Sequence, residues 1–488
     1  MSLIINALGE HAAQQGDRVA LRGKDRAISY AELARAVDAL ARELKQGGAK
    51  VVGLVGDNLL SWAIADLACL QAGLATVPIP VFFSAGQRQH ALGNAGVDTL
   101  LTPHPEALPG IAQAVLGARV DVLDVAGLPL GRVAFGAGGP RSDELLGFSK
   151  VTYTSGTTGQ PKGVKFTSAA LEAVVTAAVS GIAVQAQSRF IALLPMSVLM
   201  ENLLGLYVAL VAGAEYIALP MAELGFRGSS RLEIGALLAS VRQYRATNMI
   251  CTPQVLQNLV VELERGAEPL PDLEYVGAGG ALIAESLLER AARLGLPIYQ
   301  GWGLSECASA VTFNKPGANR VGSVGRPLSH VQVRRADDGE LLVAGRSLFA
   351  GYVGEALRSP EAWYATGDLG EIDADGYVRI TGRKKTLIIN SFGRNVSPEW
   401  VETQLTSRAA LSQAAVFGDG RPYLVGVVVP APHTSRETLT EAIEATNREL
   451  PDYAKLSRWV VAETPFTVGN EQLSVLGKLR REHIGHAY

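Results

Sequence analysis

In the stretch "YTSGTTGQPKGV", Tyr153 to Val164, three glycines, four hydroxyls between Thr154 and Thr158 and one lysine fall within a dozen positions. That set suits a polyphosphate. Glycines let backbone N–H groups turn toward an anion, hydroxyls add donors, and a lysine offsets dispersed charge. The stretch is not a Walker loop, which needs Gly-Lys-Ser/Thr, whereas Lys162 follows Pro161 and precedes Gly163. A flexible Ser/Thr/Gly connection between two elements has the same composition. The rest of the chain must choose between the two.

Other stretches carry residues of matching chemistry. "YQGWGLSE", after a predicted strand, puts Trp302, Ser305 and Glu306 on one loop. An aromatic ring could stack on adenine, while a hydroxyl and a carboxylate could serve phosphate and Mg²⁺. Trp302 is equally well an ordinary core residue and Glu306 a solvated loop acid. "YATGDLG" holds Asp368, a candidate acceptor for a ribose diol, although alone it reads as a turn. "GRKKTLIINSFGRNVSPEWVE" carries Arg383 and Lys385, and "LGKLRREH" carries Lys478. Either basic cluster taken alone is a solvated face or a frayed terminus.

The elements that must position these residues follow from hydrophobic patterning. Up to about residue 320, short apolar runs ("VVGLVG", "FIALLP", "EYIALP", "NMICTP") alternate with helical patterns ("LLSWAIADLACLQAG", "IAESLLERAARLG"). Runs apolar at successive positions fit strands buried on both faces, so the pattern predicts mainly parallel α/β layers, with ligands at the loops after strands. "KVTYTSGTTG" is expected to be a strand and a glycine-rich loop, leading to a helix from about Ser168. Beyond 320, Asp-Gly turns in "RRADDGELLVAG" and "EIDADGYVRITG" predict hairpins. From about Lys384 a separate α+β unit is expected, with a helix over "SPEWVETQLTS" and a hairpin over "AAVFGDGRPYLVGVVV". The fold class is therefore α/β: a large domain, 1–383, of layered α/β subdomains plus a β-rich subdomain, and a small α+β domain, 384–488.

Composition narrows the partners. The 488 residues correspond to roughly three domain-sized units. With 44 basic against 47 acidic residues and net charge -3 there is no basic field for nucleic acid. Three scattered cysteines, Cys69, Cys251 and Cys307, and seven histidines show neither a disulfide framework nor metal-type spacing. "MSLIINALGEHAAQQ" lacks the basic and apolar regions of a signal peptide, and the uncharged run from Leu67 to Gln87 is broken by Gly73, Pro78 and Pro80. A cytoplasmic, soluble protein is expected.

Taken together and in order, "ISYAEL", "GLATVPIPV", "YTSGTTGQPKGV", "GAGGA", "GWGLSE", "GSVGRPL", "TGD", "GRKK" and "GKLRRE" resemble the adenylate-forming superfamily, and within it the long-chain fatty acyl-CoA synthetases. The resemblance covers nearly the whole chain. It implies that Thr154, Ser155, Gly156, Thr157, Thr158 and Gly159, with Lys162, handle the β and γ phosphates of ATP, and that Glu306 holds Mg²⁺. It puts Trp302 and Gly303 at the adenine, Ser305 near the α phosphate, Gly279, Gly280 and Ala281 between adenine and acyl pocket, and Asp368 and Arg383 on the ribose. Lys478 matches the lysine that reaches the carboxylate and α phosphate, Lys385 the hinge, and Gly393 the tunnel for CoA.

The implied reaction joins a carboxylic acid to AMP and then moves the acyl group to CoA, the small domain rotating between the steps. "SFGRNVSPEWVE" resembles the fatty acyl-CoA synthetase version, and no aspartate stands near Pro195, where amino-acid-activating relatives carry one for the α-amine. A medium- or long-chain fatty acid is expected. However, Met196, Ser197, Val198 and Leu199 depart from the histidine or aromatic common after "LP". Met200 and Leu203 either line the acyl pocket or belong to the core. The alternatives are a fatty acyl-AMP ligase that loads an acyl-carrier protein and a non-catalytic nucleotide-binding relative. A lipophilic product leaves room for peripheral membrane contact.

Overall fold

A computed structural model describes residues 2–107, 119–135, 143–154, 161–227, 231–391, 394–474 and 477–488. Two large sheets dominate. One is nine-stranded; its central strands, Glu215–Ile217, Arg189–Ile191, Asn248–Cys251, Tyr275–Ala278 and Ile298–Trp302, run parallel, with antiparallel pairs at its edges. The other is eight-stranded and built around the parallel strands Lys150–Thr154, Ala75–Ile79, Val51–Val55 and Thr99–Thr102.

The continuous apolar runs are explained by cover on both faces. Phe190, Ile250 and Tyr275 point into one core, which also takes Val52 and Leu54 from the eight-stranded sheet and the helices Leu60–Ala72 and Ser168–Gly181. Their neighbours Ile191, Met249 and Val276 point the other way, onto helices Ile234–Gln243, Pro253–Glu264 and Glu285–Arg293. Met200 and Leu203 pack in the first of these cores. The three cysteines are free and buried there or close by.

The two Asp-Gly hairpins join into a four-stranded antiparallel sheet that includes Glu340–Gly345, Tyr364–Ile372 and Val378–Arg383. Asp368 therefore lies inside a strand, not in a turn. The small domain holds the helix Pro398–Thr406 and the hairpin Leu411–Phe417/Leu424–Pro430, with its own core.

One expectation fails at the phosphate loop. Thr154 pairs antiparallel with Lys162, and the chain returns as a strand, Lys162–Phe166, before the helix starts at Ser168. The loop is thus flanked by two paired strands, and the helix follows only the second of them. Thr167 caps that helix instead, accepting from Ala170 N. The reason is local: the return strand buries its last four residues, and Gly163 leaves room for the Tyr153 ring, which a Cβ would meet at 2.9 Å.

A polar network fixes the base of this strand pair. Lys150 Nζ, fully buried, donates to Asp66 Oδ1 at 2.7 Å and Asn202 Oδ1 at 2.6 Å, and the Tyr207 hydroxyl donates to Asp66 Oδ2 at 2.7 Å. Strand and helix are held by a charge pair whose partners are all present.

Candidate active site

Strand ends bring several of the candidate residues to one edge of the nine-stranded sheet. Trp302 closes the strand Ile298–Trp302, with Gly303 next, and Gly279, Gly280 and Ala281 follow the neighbouring strand. Gly280 has φ +92°, open to glycine but strained for other residues. A Cβ on Gly279 would stand 3.1 Å from the carbonyl oxygen of Gly301, and one on Gly303 would run into the Ser309 carbonyl. These loops need bare backbone to pass each other.

Trp302 is buried, and its indole N–H donates to Asp368 Oδ2 at 2.8 Å. The other carboxylate oxygen of Asp368 meets Arg383 Nε at 2.6 Å, because the two residues are register partners on adjacent strands. Asp368 is nearly enclosed whereas Arg383 is half-exposed. The pair presents a held carboxylate and a reachable guanidinium side by side. A ribose diol could use both.

Ser305 and Glu306 sit in a one-turn 3₁₀ segment, Ser305–Cys307. Glu306 accepts from the Tyr352 hydroxyl at 2.8 Å. The Tyr352 ring in turn lies under Lys162, whose ammonium is 4.9 Å from the ring centroid and 3.2 Å from Glu355 Oε1. Desolvation, reinforced by Tyr364 and Glu306, pushes the Tyr352 hydroxyl well above its ordinary range, so it stays a donor. Tyr352 thus joins the candidate metal carboxylate to the candidate phosphate lysine. Sequence reasoning missed it: "AGYVGE" has no motif value alone, and the contact is made by strand pairing of Tyr352 with Val164.

Lys478 arrives from the small domain. It retains solvent-exposed area, yet desolvation lowers its pKa, the charge of Arg383 lowers it further, and Asp368 and Glu306 oppose the fall. The ammonium therefore shares one electrostatic neighbourhood with three candidate residues of the large domain. The backbone of Lys478 is tied to Ser474: Ser474 N donates to Lys478 O at 2.7 Å and Lys478 N to Ser474 Oγ at 3.0 Å. Cys307, beside Glu306, is fully buried, and burial pushes its thiol well up.

At the domain junction Lys384 Nζ is held by Asp338 Oδ2 at 2.6 Å and Glu340 Oε2 at 2.9 Å, both on the large domain. Lys384 is thus tied to the large domain, one residue past the boundary expected from sequence, and the exposed Lys385 is the first residue beyond that clamp. Ser155, Gly156, Thr157, Thr158, Gly159 and Gly393 lie outside the described residues. Among the described residues no cluster of three or more His, Cys, Asp or Glu could hold a metal, and no helix is long and apolar enough to cross a membrane.

Strand-end loops of an α/β sheet, a tryptophan–carboxylate–arginine set and a lysine from a second domain make up one candidate site. Residues 8–353 match the AMP-binding enzyme family and residues 385–487 its C-terminal domain. The chain belongs to the AMP-binding enzyme family. It is 28% identical over 479 residues to a long-chain-fatty-acid–CoA ligase of Mycobacterium bovis, covering 83% of this chain and 77% of that one. It is 30% identical over 449 residues to a feruloyl-CoA synthase of Amycolatopsis, covering 84% and 85%. In fold it is similar to the anthranilate CoA ligase AuaEII in complex with anthranoyl-AMP, with a TM-score of 0.82 at 18% identity, covering 100% of this chain and 97% of that one.

Proposed function

We propose that this protein is an AMP-forming acid–CoA ligase. The observation that carries this reading is the Trp302–Asp368–Arg383 set, a held carboxylate beside a half-exposed guanidinium, with the charges of Arg383, Asp368 and Glu306 acting on Lys478 of the small domain. A carboxylate and a triphosphate repel each other, and positive charge where they meet is the main catalytic demand. Lys478 would hold the incoming carboxylate against the α phosphate, while Asp368 and Arg383 fix the ribose, Trp302 borders the adenine and Lys162 faces the outer phosphates. Thr154 and the loop residues after it would add donors to the β and γ phosphates, and Ser305 one near the α phosphate. Mg²⁺ carried with ATP would neutralise phosphate charge, and one protein carboxylate, Glu306, fits a metal that arrives with its nucleotide. The carboxylate oxygen bonds to the α phosphorus as the bond to pyrophosphate breaks. The CoA sulfur then bonds to the acyl carbon as the bond to AMP breaks.

The second step needs a thiol near the place Lys478 occupies, so the small domain turns about Lys385 and brings the segment of Gly393 inward. The acid is lipophilic, a medium- or long-chain fatty acid in the first instance. The uncharged "LLPMSVLM" segment supports this, as does the likeness to the mycobacterial ligase. The similarity to feruloyl-CoA synthase favours including aryl acids in the test. Pyrophosphate exchange with a panel of fatty, aryl and amino acids checks the first step; mass detection of acyl-CoA against an acylated carrier protein identifies the acceptor. Exchange with no acid of the panel would reject the enzyme. Lys478→Ala is expected to lower adenylate formation by at least ~10²-fold while thioester formation from supplied acyl-adenylate stays closer to the parent. Equal losses in both would reject the role.

A further inference from the structure

The helix Pro398–Thr406 lies across the domain boundary and touches the large domain at both ends. At its start, Ser397 packs so close to Gly382 that a Cβ there would stand 2.7 Å from the serine Cβ. At its end, two carbonyls that a helix leaves without internal partners are taken by donors of the large domain. Gln257 Nε2 donates to Thr406 O at 2.5 Å, and Arg290 Nη1 donates to Ser407 O at 3.0 Å. Arg290 is itself held by Glu264 on the neighbouring helix, at 2.8 Å through Nε and 2.6 Å through Nη2, so its fork is aimed before the small domain arrives. A cation at a helix C-terminus also meets the negative end of the helix dipole.

The same helix carries the position of Lys478. Arg481, three residues further on, pairs with Glu402 and, at 3.1 Å, with Glu399. Wherever this helix is docked, the segment with Lys478 goes with it. Beside the contact, a crevice of about 90 Å³ is lined by Leu282, Ile283 and Ala284, which directly follow the loop Gly279 to Ala281.

The geometry points to a latch: Gln257 and Arg290, through the end carbonyls of this helix, hold the small domain in the orientation that delivers Lys478, and must let go before a thiol can be served. They are positioning residues and touch no substrate. The inference rests on the two-orientation reading above. It adds that the docked orientation is selected by contacts distant from the hinge and from the reacting atoms.

Because the native cysteines are buried, single cysteines at the exposed positions Glu268 and Glu437 can carry a fluorophore pair across the domains. Arg290→Met and Gln257→Leu should each reduce the ratio of docked to undocked molecules by up to about tenfold, the scale of one charge-assisted or buried hydrogen bond. The rate of thioester formation from supplied acyl-adenylate, relative to the rate of adenylate formation, should rise in the same proportion. Arg290→Lys should recover part of both shifts. Lys385→Pro, measured in parallel, reports on the rotation itself. If Arg290→Met and Gln257→Leu leave that ratio and the energy transfer at parental values while Lys385→Pro still separates the two steps, the latch is wrong and the rotation stands. Uniform loss in both steps with a lowered melting temperature assigns Arg290 a structural role and overturns the latch as well. If Lys385→Pro makes acyl-CoA at the parent's rate, the reading beneath it falls first.

Discussion

Tyr352 uses its hydroxyl on Glu306 and its ring on Lys162, two interactions that can be removed separately. Tyr352→Phe keeps the ring under the ammonium but leaves Glu306 without that donor, so the Mg²⁺ concentration for half-maximal adenylate formation should change by about tenfold. Tyr352→Leu should in addition raise the KM for ATP; a Phe variant with the parent's Mg²⁺ dependence would remove Tyr352 from the site. A second residue effect is read in pH. Glu201 is fully buried, accepting from Tyr216 at 2.9 Å and Leu194 N at 3.2 Å, and burial raises its pKa from 4.5 to about 8. Between those values the folded chain keeps a proton that the unfolded chain has lost. Stability is therefore fullest below pH 4.5 as far as this group is concerned, and on the order of 3–5 kcal/mol is lost as pH rises through about 8. Thermal melts of Glu201→Gln should show a flatter pH dependence than the parent over that window and a higher melting temperature at its alkaline end. Lys478, Asp368 and Arg383 could be proposed from sequence because each side chain type suits one task on a nucleotide and each stands in a recognisable short motif. Tyr352 and Glu201 could not, since their partners come from other strands and a tyrosine or glutamate in an apolar run carries no mark of its hydrogen bonds.

The pairing of Lys150–Thr154 with Lys162–Phe166 shows what the sequence could not reveal about elements. Five residues, "KGVKF", are too few for period-two alternation to stand out from a loop, and antiparallel return is defined by its partner, Lys150–Thr154, not by itself. The helices and the Asp-Gly hairpins were readable because a long amphipathic or turn-bounded pattern repeats its own signal. The turn reading of "YATGDLG" taken alone fails for the converse reason: the glycine before Asp368 suggests a turn, but the residue lies within the strand Tyr364–Ile372, bonded to Trp302 and Arg383. The network that anchors the paired strands offers a stability test. Lys150→Met leaves Asp66 buried without its cation and should cost about 3–5 kcal/mol by chemical denaturation, whereas adding Asp66→Leu should recover much of that. Recovery failing in the double variant would mean that packing, not the charge pair, sets the cost.

At the scale of the molecule a large and a small domain pack together, and the two units were readable because strand-and-helix alternation gives way to hairpins and then to a new α+β pattern. The relative placement of the domains was not, since it depends on contacts such as Gln257 with Thr406 that join residues 149 apart. Lys385→Pro should release pyrophosphate in a single turnover yet form little acyl-CoA, because fixing φ just beyond the Lys384 clamp restricts the turn the second step needs. Acyl-CoA appearing at the parent's rate would place the pivot elsewhere. The burial of every cysteine then has a chemical consequence for such a ligase. A mixed anhydride of an acid with AMP acylates any accessible thiolate, and Cys307 adjoins Glu306 within the site. Its thiol is out of reach and held in the unreactive protonated form, as are Cys69 and Cys251, both pushed up to about 12. The activated acyl group therefore meets no competing sulfur on its own carrier, and the protein is protected from labelling itself during the wait for CoA.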